Sequence, residues 1–407
     1  MLLAENNKNK VNNKTQPETE TVLVNQGGGS LGAYECGVSK VLAKHDIRFD
    51  IIAGSSIGAI NATILASNYS YKYGLKNSVL KLENFWLELG EKMIPFCTDK
   101  QKSEFAALFS LFWGNPNAFS PIWFDRGGSP LYYFFNSPYL YDVDRLKKTI
   151  NKYVNFDNLH NTTFQKDKAK ESNTPSEENA KTKDNTESNN QLPRLIITAT
   201  NIQTGDPVTF DSYTMNITID HVMASAGYAI YGLPWTKINN NYYWDGSFVH
   251  NTPLKSAIDI SPSKEKIAYV SDVFPLKQKK LPNSMPETYH RVRDLLFTDI
   301  SIREISEQSD IIKEDLSVME QMHQLLLENN NSKDEKTRVK LEKIEKEYNK
   351  LLSSRRGRII KKLVHIERKE SIGHHFLFED ADFSIATIER LIKQGEKDAE
   401  LAILDNH

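Results

Sequence analysis

Two short apolar runs, each followed by small residues and then by helical periodicity, open the patterned part of the chain. Thr21 to Gln26 (TVLVNQ) predicts a strand buried on both faces, and it runs into Gly27-Gly28-Gly29-Ser30-Leu31-Gly32. Ala33 to His45 follows as a helix, with Val38, Val41 and Leu42 at core spacing. Phe49 to Leu65 (FDIIAGSSIGAINATIL) repeats the layout as a strand, a turn centred on Ser56 and the start of a helix. Strands joined through a helix imply a right-handed crossover and parallel pairing. Downstream, Asp142 to Val154 has helical spacing, Leu195 to Thr200 (LIITAT) predicts a strand with Pro207 to Asp211 as its hairpin partner, and His221 to Tyr228 a short helix of small residues. Asn241 to Trp244 is strand-like, and Lys266 to Val273 predicts another strand. Apolar residues recur at helical spacing from about Thr288 to Glu328, and a polar break from Asn329 to Lys336 leads to a second helix ending near Leu352. Arg358 to Glu367 holds a late strand and Asp382 to Ile403 a last helix with Asp382 or Ser384 at its cap. This alternation predicts a three-layer α/β fold around a mainly parallel sheet, with an aromatic-rich cap insertion and helical C-terminal additions.

The pattern fails in three places. Residues 1–19 are rich in Asn, Lys, Thr and Glu and read as a disordered tail, and residues 166–190 are almost wholly polar and read as a solvated insertion between core elements. Residues 85–143 instead crowd aromatics into FAALFSLFW, SPIWFDRGG and SPLYYFFNSPYLY, suited to a lid core, an acyl-chain channel or a surface that dips into lipid. These breaks divide the chain into a main domain over 20–275 and a helical region over 276–407 packed on it. A length of 407 residues and a formal net charge of −2 allow a full core and give no global argument for nucleic acid as partner. Cys36 and Cys97 are the only cysteines, which excludes a disulfide framework and a cysteine metal cluster and suits a reducing compartment. The N-terminal MLLAENNKNKVNNKT lacks a signal-peptide pattern, and no apolar run approaches the ~20 residues of a spanning helix. The expectation is a cytoplasmic protein with, at most, peripheral membrane contact.

Chemistry concentrates in three short stretches. Gly54-Ser55-Ser56-Ile57-Gly58 is a G-x-S-x-G whose small flanking residues, Gly54 and Gly58, allow the sharp strand-to-helix turn that presents a serine hydroxyl. Gly27 to Gly32 fits a G-x-G-x-x-G turn, but Asp46 and Asp50, the carboxylates a dinucleotide site would use, precede or begin the next strand, whereas the site needs one at its C-terminal end. The N–H groups of Gly28 and Gly29 beside a serine suit the oxyanion of acyl transfer. A phosphate loop is excluded by the absence of Gly-Lys-Ser/Thr. The third stretch, Trp244-Asp245-Gly246-Ser247, follows a strand-like run and precedes Asn251-Thr252-Pro253-Leu254, so Asp245 sits on a loop at the sheet edge where a base can reach the serine.

In this order and over Val22 to Leu254, the three stretches resemble the patatin-like phospholipases. The resemblance implies a Ser-Asp dyad, with Ser56 attacking the ester carbonyl, Asp245 taking its proton and later activating water, and Gly27, Gly28, Gly29 and Gly32 forming the oxyanion turn. It implies a lipid acyl hydrolase that needs no metal or organic cofactor and acts on phospholipid or another acyl ester. The segment Asp382 to Glu389 also looks like the end of a bacterial branch with an extra helical region. Two positions depart from the family pattern: Leu31 stands where Arg or Lys is frequent, and Ser247 where Gly or Ala is usual. A histidine triad would draw on His250, His290, His374 or His375, none of which sits in a recognisable motif. A soluble carboxylesterase or thioesterase and a catalytically silent lipid-binding scaffold remain as alternatives. The basic residues Lys277, Lys279, Lys280, Arg355, Arg356, Arg358, Lys361 and Lys362 suit an anionic bilayer or a solvated face, and the helices between 299 and 352 suit self-association.

Overall fold

A computed structural model describes residues 19–91, 99–159, 192–261, 264–298, 301–328, 335–369 and 378–405. The expected insertion over 166–190, His374, His375, Cys97 and all of the expected tail except Thr19 lie outside the described residues.

An eight-stranded sheet forms the centre. Its parallel part comprises β1 (Thr19–Asn25), β2 (Ile51–Ser55), β5 (Arg194–Asn201), β9 (Glu265–Asp272) and β10 (Ile360–Glu367), in the spatial order β10-β9-β1-β2-β5. Three antiparallel strands complete it: β6 (Pro207–Asp211) and β8 (Asn241–Asp245) on β5, and β7 (Thr236–Ile238) on β8. A short separate pair, β3 (Ser120–Pro121) and β4 (Tyr141–Asp142), lies within the aromatic region. The strand that follows the polar N-terminal stretch begins at Thr19, two residues before the apolar pattern starts, because Thr19 and Glu20 extend the ladder to Glu265 and Lys266.

The sheet is covered on both faces because its strands alternate large apolar residues to each side. Leu23, Ile52, Leu195 and Ile197 face the larger core, packed under α1 (Ala33–Lys44), α2 (Ile57–Ser67), α3 (Lys76–Leu89) and the C-terminal helix Ile385–Leu404. Val22, Val24, Ile51, Ala53, Ile196 and Val270 face a thinner layer made by Leu254–Asp259 and by Ile302 of the helix Ser301–Glu328. The C-terminal helix lies tight on α1, where a Cβ on Gly37 would overlap the carbonyl of Ile392 and one on Gly395 that of Tyr34. The helical spacing read from Thr288 to Glu328 resolves into two helices, Met285–Phe297 and Ser301–Glu328, followed by Glu335–Arg355. The last helix starts at Ile385, since Asp382 spends its carboxylate on Ser384 N–H and Thr387 Oγ1 ahead of the first turn. Among the described residues, no helix is long and apolar enough to cross a membrane.

The topology fixes where a ligand can sit. The chain proceeds from β1 to β2 and β5 on one side and later returns to β9 and β10 on the other, so the strand order reverses at β1. In open α/β sheets the crevice beyond the carboxyl ends of strands at such a reversal is the usual binding place. Gly27 to Gly32 and the Ser56 turn both stand there.

Candidate active site

Ser56 has φ 55° and ψ −126°, a conformation that a residue with a side chain adopts only when its surroundings impose it. Its neighbours impose it here by having no side chains. A Cβ on Gly54 would overlap the carbonyl of Gly58, and one on Gly58 would lie 2.6 Å from the carbonyl oxygens of Asn25 and Gln26 at the end of β1. From the far side, Ser225 Oγ accepts the Ser56 N–H at 2.9 Å.

The strand register delivers Asp245 to this turn. Along one edge of β5, Thr198 pairs with Ser55 at the end of β2 and the next residue, Ala199, pairs with Asp245 at the end of β8. Strand β6 occupies the opposite edge of β5 over the same residues. The parallel β2 and the antiparallel β8 therefore meet end to end, and Ser56 Oγ donates to Asp245 Oδ2 at 2.6 Å. The other oxygen, Oδ1, accepts from Ser247 N–H at 2.8 Å and from Ser247 Oγ at 2.6 Å. Asp245 is fully buried, and burial lifts its carboxyl to about 6 against the opposing hydrogen bonds from Ser247 and Ser56. Among the described residues, no histidine hydrogen-bonds either side chain.

The glycine-rich turn stands across from Ser56. Gly27 N–H is engaged with the carbonyl of Asn251 at 3.1 Å, while the N–H groups of Gly28 and Gly29 have no acceptor among the described residues. Gly32 lies behind the turn at the start of α1, where a Cβ would press within 2.9 Å of Ile57. Leu31 is fully buried in the main core. A buried polar set fixes the turn from below. Glu35 accepts from Gln26 N–H at 2.6 Å and from Asn61 Nδ2 at 2.8 Å, Asn61 also reaches the Gly32 carbonyl at 3.0 Å, and Trp86 Nε1 donates to Asn61 Oδ1 at 3.1 Å. Burial pushes the Glu35 carboxyl well above the ordinary range, against these hydrogen bonds.

From above, the C-terminal segment closes on the same turn. Gly29 has φ 56°, and a Cβ there would overlap the Asp380 carbonyl; Ser30 Oγ donates to the Glu379 carbonyl at 3.1 Å. Glu379 and Asp380 belong to a buried ionic cluster. Arg368 Nη1 meets Glu379 Oε1 at 3.0 Å, Arg293 Nη1 meets Asp380 Oδ1 at 2.9 Å, Arg293 Nη2 meets Asp294 at 2.9 Å, and His290 Nε2 meets Glu379 Oε2 at 3.0 Å. His290 thus serves the cluster, and His250 is tied to this region by its backbone N–H, which donates to the Gly246 carbonyl at 3.0 Å.

Ser56, Ser247 and Gly27 to Gly29 open on a cleft of about 940 Å³, its mouth included. Its walls are largely apolar, from Ile57, Ile60, Leu111, Phe119, Leu146, Phe274, Phe297 and Phe383, with Tyr228, Tyr231, Asn251 and Asp380 as polar points. None of the basic residues read as bilayer-docking candidates lines it. The dinucleotide alternative lacks its carboxylate: Asp50 accepts Thr21 N–H at 2.8 Å at the opposite end of the strands, and Asp46 pairs with Arg48 and Lys76 on the surface. Among the described residues, no group of His, Cys, Asp and Glu has the arrangement of a metal site.

The structure therefore gathers Gly27, Gly28, Gly29, Gly54, Ser56, Gly58, Asp245, Gly246 and Ser247 in one place and sets Gly32 one step back. Sequence patterns did not single out Ser225, Asn61, Glu35, Arg293 or Asp380. Asn251 lay beside the aspartate motif, where Asn-Thr-Pro marked only the loop.

A family model described as patatin-like phospholipase matches residues 23–258, more than half of the chain. Among solved structures, VipD from Legionella pneumophila shares 15% identity at a TM-score of 0.36, the match covering 96% of this chain and 67% of that one. Full-length ExoU of the type III secretion system of Pseudomonas aeruginosa, solved with full-length SpcU, shares 18% identity at a TM-score of 0.23, covering 68% of this chain and 47% of that one. No curated protein matches the chain. With the family match covering the glycine-rich turn, the serine turn and the aspartate motif, the chain belongs to the patatin-like phospholipase family, whose members are lipid acyl hydrolases.

Proposed function

We propose that the protein hydrolyses carboxylic esters of membrane lipids, in the manner of a phospholipase A or lysophospholipase, through an acyl-enzyme on Ser56 with Asp245 as base. The observation that carries this reading is the 2.6 Å hydrogen bond from Ser56 Oγ, which lines an apolar cleft, to Oδ2 of the buried Asp245. Ser56 Oγ bonds to the ester carbonyl carbon as its proton passes to Asp245. The carbonyl oxygen becomes an oxyanion, for which the N–H groups of Gly28 and Gly29 are the donors at hand, each worth about 3–4 kcal/mol in such a site. Collapse of this intermediate breaks the bond to the alcohol, which leaves with the proton from Asp245. Water then attacks the acyl carbon, its proton passes through Asp245 back to Ser56 Oγ, and the fatty acid departs. The apolar walls of the cleft suit the acyl chain, and Asp245 supplies a base whose raised pKa lies near the working range.

Fatty-acid release from mixed phospholipid vesicles tests the proposal. Release is expected from the wild type and is expected to fall at least a thousandfold in Ser56→Ala. Release that survives the substitution excludes Ser56 as nucleophile. Hydrolysis of soluble esters alone would favour the soluble esterase, and no hydrolysis by folded protein the lipid-binding scaffold.

A further inference from the structure

Asn251 lies on the loop after β8 and is only 7% exposed. Its backbone carbonyl accepts Gly27 N–H at 3.1 Å, and its Nδ2 donates to the carbonyl of Phe297 at 3.0 Å. The second bond fixes which way the amide faces, since the reverse orientation would set two carbonyl oxygens against each other. Oδ1 is then turned toward the glycine-rich turn, and it has no hydrogen-bond partner among the described residues. Its position is narrowly defined. The point where a Cβ on Gly27 would lie is 2.5 Å from Asn251 Oδ1 and 2.9 Å from Ser56 Cβ, and all three residues line the same cleft. A buried acceptor left unpaired is costly, and its place beside the nucleophile points to a donor that arrives during the reaction.

We propose that Asn251 Oδ1 is the second acceptor for the water that releases the acyl group from Ser56. The inference rests on the acyl-enzyme reading above. While Ser56 Oγ is esterified it has no proton, so Asp245 Oδ2 loses the donor that it holds in the free enzyme. The attacking water has two O–H groups and needs two acceptors if a lone pair is to face the acyl carbon. One O–H goes to Asp245 Oδ2 and the other to Asn251 Oδ1. The new bond runs from the water oxygen to the acyl carbon, the bond from that carbon to Ser56 Oγ breaks, and the proton taken by Asp245 returns to Ser56 Oγ. The other water proton stays on the product acid until that acid ionises in solvent. Tyr228 in the same cleft is held neutral by burial, with the charges of Asp380 and Asp245 acting in the same direction, and adds no competing base.

Methanol tests this because it has a single O–H, which Asp245 uses, and nothing to offer Asn251. With a soluble acyl ester in water–methanol mixtures, the ratio of methyl ester to free acid reports the competition at the acyl-enzyme and does not depend on how much protein is folded. The wild type is expected to give methyl ester below methanol's molar share. Asn251→Ala is expected to raise the ratio by about five- to tenfold, the worth of one neutral hydrogen bond. Asn251→Ser provides the same reading should the alanine variant fail to accumulate. A wild-type ratio at or above the molar share, or a ratio unmoved by the substitutions even where the rate falls, would overturn the proposal and leave Asn251 a structural tie between Gly27 and Phe297. Undiminished products from Ser56→Ala would instead overturn the acyl-enzyme itself, and the role of Asn251 with it.

Discussion

Both oxygens of the Asp245 carboxylate are hydrogen-bonded, Oδ2 by Ser56 and Oδ1 twice by Ser247. Burial raises the pKa, and these donors favour the charged form and restrain it at about 6. A protonated Asp245 cannot take the serine proton, so kcat/KM is expected to climb as pH rises through about 6 and to level off above it. Ser247→Ala removes the side-chain donor and keeps the backbone one, so the charged form loses support and the carboxyl titrates higher. The acid limb of the pH profile is then expected to move toward alkaline pH by about one unit, the size of one hydrogen bond to a charged group. A pH–rate profile of the two proteins on one soluble ester checks this, and a limb that stays put would show that Ser247 Oγ does not tune the base. The hydroxyl at this position, which departs from the family's Gly or Ala, thus acquires a chemical consequence that the motif alone did not suggest.

At the scale of elements, the aromatic region supplies two opposed surfaces. In the helix Asp99–Trp113, Ala107 and Leu111 turn inward to Phe378 and Ala381, and Leu111 lines the cleft, whereas Leu108, Phe109, Phe112 and Trp113 are exposed. The helix Pro130–Asn136 buries none of its residues, with Leu131 66% and Phe135 74% exposed. From Phe105 to Tyr141 the only charged side chains are Asp125 and Arg126. The lid and lipid-facing readings of this region are therefore compatible, one for each face. Replacing Phe134 and Phe135 together with serine is expected to lower hydrolysis of vesicle lipid by about tenfold or more, at roughly 1 kcal/mol for each aromatic lost from the bilayer interface. Hydrolysis of a monomeric short-chain ester should be unchanged, and an equal loss on both substrates would rule out a bilayer contact. The order of strands and helices was legible because their apolar spacing is local, as in Thr21 to Gln26 and Phe49 to Leu65. The two faces of the Asp99–Trp113 helix were not, because FAALFSLFW is apolar all round and only tertiary packing decides which side is covered.

For the whole molecule, the segments that bring Ser56 and Asp245 together could be read from sequence while their support could not. Ser56, Gly54 and Gly58 lie in one short segment with a strand before and a helix after, and Asp245 carries a motif of its own. The residues that hold the glycine-rich turn are remote from it in the chain and carry no local pattern: the carbonyls of Glu379 and Asp380 meet Ser30 and Gly29, and Arg293 and Arg368 hold the side chains of those two acidic residues. The family match ends at residue 258, so this buried cluster lies beyond the segment that carries Ser56 and Asp245. Burial alone would raise the Glu379 carboxyl, but Arg368, His290 and Arg293 together hold it well below the ordinary glutamate range. A carboxylate depressed in this way stabilises the fold above its unfolded pKa and loses that contribution as the pH falls toward the folded one. Removing one cation leaves a buried charge under-compensated, which typically costs about 3–5 kcal/mol. Arg368→Met is therefore expected to lower the free energy of urea unfolding by that amount at pH 7, and a smaller difference from wild type is expected in acid, where Glu379 begins to protonate. Because Ser30 hangs on the Glu379 carbonyl and Gly29 abuts that of Asp380, kcat for a soluble ester should also fall in protein that is still folded, with KM little changed. Unfolding curves and single-ester kinetics on the same preparation separate the two effects. A variant that loses stability but keeps its kcat would mean that the cluster anchors the C-terminal region without positioning the glycine-rich turn.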